Sequence, residues 1–415
     1  MRTMIRFVRG RMLFPGWIWV LMASAVMGQD QKAVPPIVPQ TVGPYLQNPS
    51  PEAMTLCFAA QKAEKVIVRW AAKGAQSMTT TSAVATTIPG TPWTIWKTRL
   101  TGLKPGTAYQ YELNYEQDSR NQKEPVHVFK TVNPKAASIT MAAYNDLHSN
   151  VQTLKLLTKQ LTPEDYDFSA LLGDCWSDPS MNEVFIVLDQ YVRLLNASEK
   201  PMIFVRGNHE FRGSFKQQMA YLFDLPNLDN PGAQPNEQKY QFDMQIGPVW
   251  FIAMDCGEDG DRDPPYFNPY REMQMNWLKG RLADKAKDQK SWRVLLSHLP
   301  LYQNDFNCYS EASRKIWEPA LANAGIDLQM SGHSHSFGLI PKGKDITISL
   351  PIWSGDGKDR QQTGTNTWQI IPPFPVMTGG GPSAREGTVM LLHATAADLK
   401  VRMLNTASIR LDQKE

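Results

Sequence analysis

Histidine and cysteine are scarce in this 415-residue chain, which holds seven of the first and four of the second. Cys57, Cys175, Cys256 and Cys308 are widely spaced and form no Cys-x-x-Cys pair, so no disulfide framework, redox motif or structural zinc site is written into them. Cys256 and Cys308 each follow a predicted strand by a few residues; a bridge between them and buried free thiols are both open. Gly379-Gly380-Gly381 lacks a following Lys-Ser/Thr, which excludes a phosphate-binding loop of that kind and leaves a turn. Beyond residue 28 no run is long and apolar enough to span a bilayer. Charge of one sign is also missing. The formal net charge of +3 rests on Arg2, Arg6, Arg9 and Arg11, in a start without acids. Without that segment the balance is slightly negative, so neither nucleic acid nor a membrane surface is an expected partner.

What is present begins with that start. The four arginines lead into an apolar stretch at 12–27, interrupted by Pro15 and Ser24, and the small residues Val26 and Gly28 precede polar Gln29-Asp30. This reads as a signal peptide over residues 1–28, cleaved near Gly28, which makes the mature protein secreted or periplasmic. The alternative is an uncleaved anchor. Pro15 and the short span argue against it, because a spanning helix wants about 20 apolar residues. No cysteine lies near the cleavage point to accept a lipid, so no stable membrane anchor is expected.

Residues 29–40 are Pro-rich and read as a linker. Over 41–133, short apolar runs at 54–58, 65–70, 94–100, 109–115 and 126–130 are separated by turn residues, as in a small all-β sandwich of fibronectin type III kind. Over 138–410 the pattern changes. Strand-like runs at 139–144, 168–172, 202–205, 249–254, 293–296 and 326–330 alternate with helical spacing, as in Leu154, Leu157 and Leu161 or Val184, Val187, Leu188 and Tyr191. That alternation predicts an α/β domain. A strand pair at 388–393 and 399–404 closes it, and 355–382 reads as a turn-rich insert without periodicity.

Five of the seven histidines fall in five motifs: Asp146-Leu147-His148, Gly173-Asp174, Gly207-Asn208-His209-Glu210, Ser297-His298 and Gly332-His333-Ser334-His335. Each starts where a predicted strand ends, so all converge on one edge of an α/β sheet. Neutral imidazoles, carboxylates and one amide oxygen are the donor set of a site for two divalent metals. Any one motif alone reads as a solvated loop or turn; five in register read as a site.

In order and residue type the motifs resemble those of the calcineurin-like metallophosphoesterase superfamily. The stretches Gly43-Pro44-Tyr45-Leu46-Gln47 and 100–109 resemble the N-terminal domain of purple acid phosphatases. The resemblance implies an α/β fold in which a β-sandwich precedes an αββα-type sandwich. It implies Asp146, His148 and His335 on a first metal, Asn208, His298 and His333 on a second, and Asp174 bridging the two. The cofactors would be two divalent or mixed-valence ions, iron, zinc or manganese. The substrate would be a small phosphate ester, a monoester attacked directly by a metal-bridging hydroxide. His209 is implied as general acid or transition-state stabiliser. Arg206 and Arg212 flank that block and are candidates for phosphate contact.

The chain departs from purple acid phosphatases at Ser177, where they place a tyrosine that binds iron(III), and at His148, where they carry a non-ligand. Calcineurin-type phosphatases have an aspartate at the Ser177 position that supports the histidine; Asp178 is the nearest candidate here. Trp176 reads as pocket wall, His127 and His393 as structural, and 255–261 as a solvated acidic loop. Two rivals remain: a phosphodiesterase or nucleotidase with the same site, and a secreted binding protein with a vestigial second domain.

Overall fold

The computed structural model describes residues 3–8, 11–13, 37–259, 264–284, 290–303, 311–354 and 361–406. The fold is mixed α/β and rich in sheet. Its N-terminal region pairs a four-stranded sheet, in the order Thr41–Gln47, Ala53–Gln61, Trp93–Thr101, Val84–Thr87, with a five-stranded one built around Ala63–Ala72 and Ala108–Gln117. Every pairing in both sheets is antiparallel. Leu46, Met54, Leu56 and Phe58 from one sheet pack with Val66, Val68, Tyr109 and Tyr111 from the other. Ala53–Gln61 is buried along eight successive residues. An alternating strand would bury one face only; this one buries both, because Cys57 and Ala59 turn outward onto the core of the second region. Sequence periodicity missed three short polar strands, Thr79–Ser82, Val84–Thr87 and Arg120–Lys123, which carry no apolar face to betray them.

The second region stacks two sheets. One runs Met202–Val205, Phe168–Leu172, Ser138–Tyr144, Thr388–Thr395, Asp398–Asn405, with the first three parallel. The backbone of Thr3–Val8 adds to its edge antiparallel to Asp398–Asn405, and Arg11–Leu13 lies beyond. Both fall within the segment that reads as a signal peptide. The other sheet runs Phe242–Ile246, Val249–Ala253, Trp292–Leu296, Leu328–Ser331, Val376–Thr378, Gly338–Ile340. Phe168 and Phe251 meet edge to face between the sheets, centroids 5.6 Å apart. Helices Val151–Thr158 and Met181–Leu194 bury Leu154, Leu157, Val184, Leu188 and Tyr191 against the first sheet's core. Helix Glu311–Leu321 buries Trp317 and Leu321, and Pro264–Asp284 buries Leu278, in a separate core with Trp250 and Leu295 on the second sheet's far side. The layers are therefore helix, sheet, sheet, helix.

The two regions are joined through side chains. Trp93 stacks on Phe185, centroids 3.7 Å apart. The Tyr45 hydroxyl donates to the Leu222 carbonyl (2.7 Å), and Thr55 Oγ1 and Asn48 Nδ2 donate to Asp224. The Tyr111 hydroxyl donates to the Ser198 carbonyl, and Ser198 Oγ to that of Pro44.

The stretch read as an insert without periodicity is corrected in part. Gln361–Ile370 is a ten-residue strand paired with Ile346–Ser354 in a separate hairpin. Its alternation is of Thr and Gly with polar residues, so it showed no hydrophobic period.

Candidate metal centre

The five motifs sit on loops at the C-terminal ends of Ser138–Tyr144, Phe168–Leu172, Met202–Val205, Trp292–Leu296 and Leu328–Ser331. All five strands end at one rim shared by the two sheets, and backbone hydrogen bonds stitch the loops together. The amides of Asp146, His148 and Ser149 donate to the carbonyls of Gly173, Asp174 and Cys175, and Gly332 donates to His298. The ligand-bearing residues have unusual backbones. Asp146, His148, Asp174, His333 and His335 lie in the left-handed region, with φ of 47°, 44°, 50°, 70° and 51°. Such residues are held by their surroundings at a cost of order 1–3 kcal/mol each. Glycine enforces the close approach. A Cβ on Gly207 would lie 2.3 Å from Asp174 Oδ1, and one on Gly332 2.2 Å from Asp146 Oδ2.

Three overlapping groups result, each with its candidate ligand atoms within 4.8 Å of one another: Asp146, His148, His335; His148, Asp174, His209; Asp174, His298, His333. Asp174 is common to the last two and lies at the centre. Its Oδ2 is 3.1 Å from His298 Nε2, 3.6 Å from His148 Nε2 and 3.9 Å from His209 Nε2. Its Oδ1 accepts the His209 amide (2.9 Å). Asp146 Oδ1 is 3.4 Å from His335 Nε2 and 3.9 Å from those of His148 and His298.

The polar atoms at this rim fit a cation. Asp146 Oδ1, Asn208 Oδ1 and His298 Nε2 are buried without a hydrogen-bond partner. Buried polar atoms rarely go unsatisfied, so a set of acceptors left this way around one point is what a bound cation would complete. His298 Nδ1 bonds the Leu172 carbonyl (2.8 Å), which turns Nε2 inward. Electrostatics agree. Burial disfavours charge on His298, yet Asp174 and Asp146 pull its pKa up to about 10. Burial dominates at His148, whose pKa falls to about 4. Burial opposes ionisation of Asp174 too, but His298, His209 and His148 hold it well below the usual carboxylate range. Two carboxylates that pull this hard on an imidazole would pull on a divalent ion in the same way.

The structure reassigns several residues. Arg206 is not placed for phosphate contact. It is fully buried, donates to Asp255, Gln238, the Pro235 carbonyl and Tyr270, and lies between the rings of Phe211 and Tyr240, 3.9 Å from each centroid. Arg212 does reach the rim, with Nη1 2.8 Å from His209 Nε2. Asp178 is exposed; the Ser177 backbone carbonyl bonds His209 Nδ1 in its stead. Trp176 is core, not pocket wall, packed by Tyr191, Phe204 and Phe223. The acidic stretch is not solvated where described: Asp255 is buried on Arg206, and Glu258 and Asp259 are mostly covered at the rim. Cys256 is a buried free thiol, and Cys308 lies outside the described residues. Tyr144 points into the core with no exposed surface, and burial pushes its phenol up, away from phenolate.

Two residues have roles that the sequence did not assign. Glu210 is fully buried, and its carboxylate accepts four backbone N–H bonds, from Asp174, Cys175, Trp176 and Gly207, at 2.7–3.2 Å. It ties two ligand loops together. Burial and Asp174 push its pKa up to about 7, against His298 and the amides of Trp176 and Gly207. Asn145 Nδ2 bonds Asp146 Oδ2 (2.6 Å) and the Gly380 carbonyl, which gives the triple glycine a structural use. The only signals were the place of Glu210 at the end of a motif and that of Asn145 beside Asp146.

Two facing sheets flanked by helices, with one shared rim of histidines and carboxylates, define a metallophosphoesterase fold. Residues 139–337 match the family model described as calcineurin-like phosphoesterase. It is 25% identical over 276 residues to purple acid phosphatase 21 of Arabidopsis thaliana, covering 62% of this chain and 57% of that protein. It is 25% identical over 308 residues to purple acid phosphatase 18 of the same plant, covering 71% and 64%. The chain thus spans roughly three fifths of these relatives' length. A purple acid phosphatase from yellow lupin seeds shares the fold, with a TM-score of 0.64 at 16% identity over 89% of this chain and 72% of that one. So does PhoD, with a TM-score of 0.58 at 12% identity over 85% and 84%.

Proposed function

We propose that the protein is an exported two-metal hydrolase of phosphate monoesters. Asp146, His148 and His335 would hold one ion, Asn208, His298 and His333 the other, and Asp174 both. The observation that supports this best is the overlap of three ligand groups, two sharing Asp174 and two sharing His148, with buried acceptors left open around them. Bound there, two divalent ions would polarise phosphoryl oxygens and lower the pKa of a water. Their identity stays open among iron, zinc and manganese, since an imidazole-rich set suits each. One relative, 21% identical over 203 residues, is described as an Fe(3+)-Zn(2+) purple acid phosphatase. Here Ser177 stands where that class has its tyrosine, and its Oγ donates to the His148 carbonyl (3.0 Å). Metal analysis with a panel of mono- and diesters tests the reading. Metal-loaded protein that hydrolyses neither overturns it, and hydrolysis of diesters alone transfers it to the phosphodiesterase alternative.

His209 stands over the rim with Nδ1 fixed by the Ser177 carbonyl and Nε2 accepting from Arg212. Proton delivery from Nε2 therefore requires Arg212 to turn away and Nε2 to take up a proton from solvent first. His209→Ala should keep both metals and lower turnover by about 10²–10⁴-fold, the range of general acid catalysis. The loss should be smaller for p-nitrophenolate than for alkoxide leaving groups. Equal losses would assign His209 to phosphate positioning.

Export follows from the basic, then apolar start. Intact-mass measurement of exported protein should find residues 1–28 gone; a retained Met1 would indicate an anchored or unprocessed start.

A further inference from the structure

We propose that Arg212 makes this site select monoesters over diesters and that Glu258 holds it in place to do so; the inference rests on the phosphoesterase reading above. The two arginines flanking the Asn208-His209 block have opposite fates. Arg206 is sealed in the core, while Arg212 keeps 26% of its side chain exposed at the rim. Its Nε and Nη2 both donate to Glu258, at 3.3 and 2.6 Å. That pairing anchors one edge of the guanidinium and turns the other, through Nη1, toward His209 Nε2 at 2.8 Å. His209 Nε2 is itself 3.9 Å from Asp174 Oδ2. Asp259 extends the same rim, with Oδ1 3.4 Å from Arg212 Nη2 and Oδ2 4.0 Å from His333 Nε2. The guanidinium thus stands beside the ligand cluster, pre-oriented by a bidentate carboxylate.

Substrate chemistry gives this position its meaning. A phosphate monoester carries three terminal oxygens and about two negative charges near neutral pH. A diester carries two terminal oxygens and one charge. A two-metal site engages two terminal oxygens, so only the monoester has a third for Nη1. A diester presents an ester arm there, which can neither accept a charge-assisted bond of equal strength nor fit as closely. Turning Nη1 onto that third oxygen also releases His209 Nε2.

The test uses the metal-loaded full chain as wild type, Arg212→Ala, Arg212→Lys, Glu258→Gln and the Arg212→Ala/Glu258→Gln double variant. Calorimetry measures binding of inorganic phosphate and of dimethyl phosphate. Kinetics compare p-nitrophenyl phosphate with methyl p-nitrophenyl phosphate, which share a leaving group. Arg212→Ala should weaken phosphate binding and monoester kcat/KM by about 10–100-fold, the worth of one or two charged hydrogen bonds. Its effect on the diester and on dimethyl phosphate should be several-fold smaller. Arg212→Lys should fall between, because a point charge replaces the fork. Glu258→Gln should lose in the same direction, and add nothing once Arg212 is gone, which separates positioning from general support of the fold. Equal losses on both esters, with metal content kept, overturn the selectivity. So does unaltered phosphate binding in both single Arg212 variants. A wild type that binds no phosphate and hydrolyses neither ester overturns the phosphoesterase reading itself.

Discussion

Asp174→Ala should abolish hydrolysis, by more than about 10³-fold, and remove both metals together. The geometry makes loss of the pair, not of one ion, the expected result. Asp174 Oδ2 faces His298, His148 and His209 at 3.1–3.9 Å, and the residue belongs to two of the three ligand groups. Asp146 Oδ1 also comes within 3.9 Å of His148 and His298, but Asp146 belongs to one group only. Asp174→Asn separates this from damage to the fold. Its amide oxygen can still accept the His209 N–H that Asp174 Oδ1 accepts at 2.9 Å, while the NH₂ group meets imidazole nitrogens and repels a cation. Metal analysis, melting temperature and turnover of both variants form the measurement. An alanine variant with two metals per chain and ordinary turnover would falsify the assignment of Asp174 as the shared ligand.

Glu210→Gln should cost stability on a scale unusual for an isosteric change. Four backbone N–H groups converge on the carboxylate in a fully buried position. A glutamine offers one oxygen for two of them and turns an NH₂ on the rest. Two buried donors without acceptors cost about 1–3 kcal/mol each. At a few degrees per kcal/mol for a domain of this size, the melting temperature should fall by roughly 5–20 °C. Metal affinity should weaken with it, because the same four amides fix the Asp174 and Asn208 loops. A variant that melts within about 2 °C of wild type would show that the clamp carries no load in solution.

Glu210 also marks where sequence reading stopped. Its neighbours Asn208 and His209 were legible because chemistry dictates residue type in a metal site. Strands 168–172 and 202–205 were legible to the residue, because short apolar runs bounded by glycine leave little choice. A carboxylate that serves backbone amides obeys no such rule, since its partners carry no side-chain signature. The same limit explains Arg206. Flanking a catalytic block, it read as a phosphate contact, whereas Asp255 and Tyr240 come from distant loops, and their meeting with Phe211 around it only the fold reveals. Gln361–Ile370 escaped for a third reason: its apolar residues, Trp368 and Ile370, stand at one end and are too few to show a period.

The left-handed backbones of Asp146, His148, Asp174, His333 and His335 have a consequence for descent. At such positions glycine is the comfortable residue, and every side chain retained there is held at a conformational disadvantage. A lineage released from catalysis would relieve backbone strain by exchanging His148 or His335 for glycine, but not Asp146 or Asp174, whose carboxylates accept hydrogen bonds that glycine would leave open. The histidines of this rim would then be the first of the five to drift once nothing selected for what they bind.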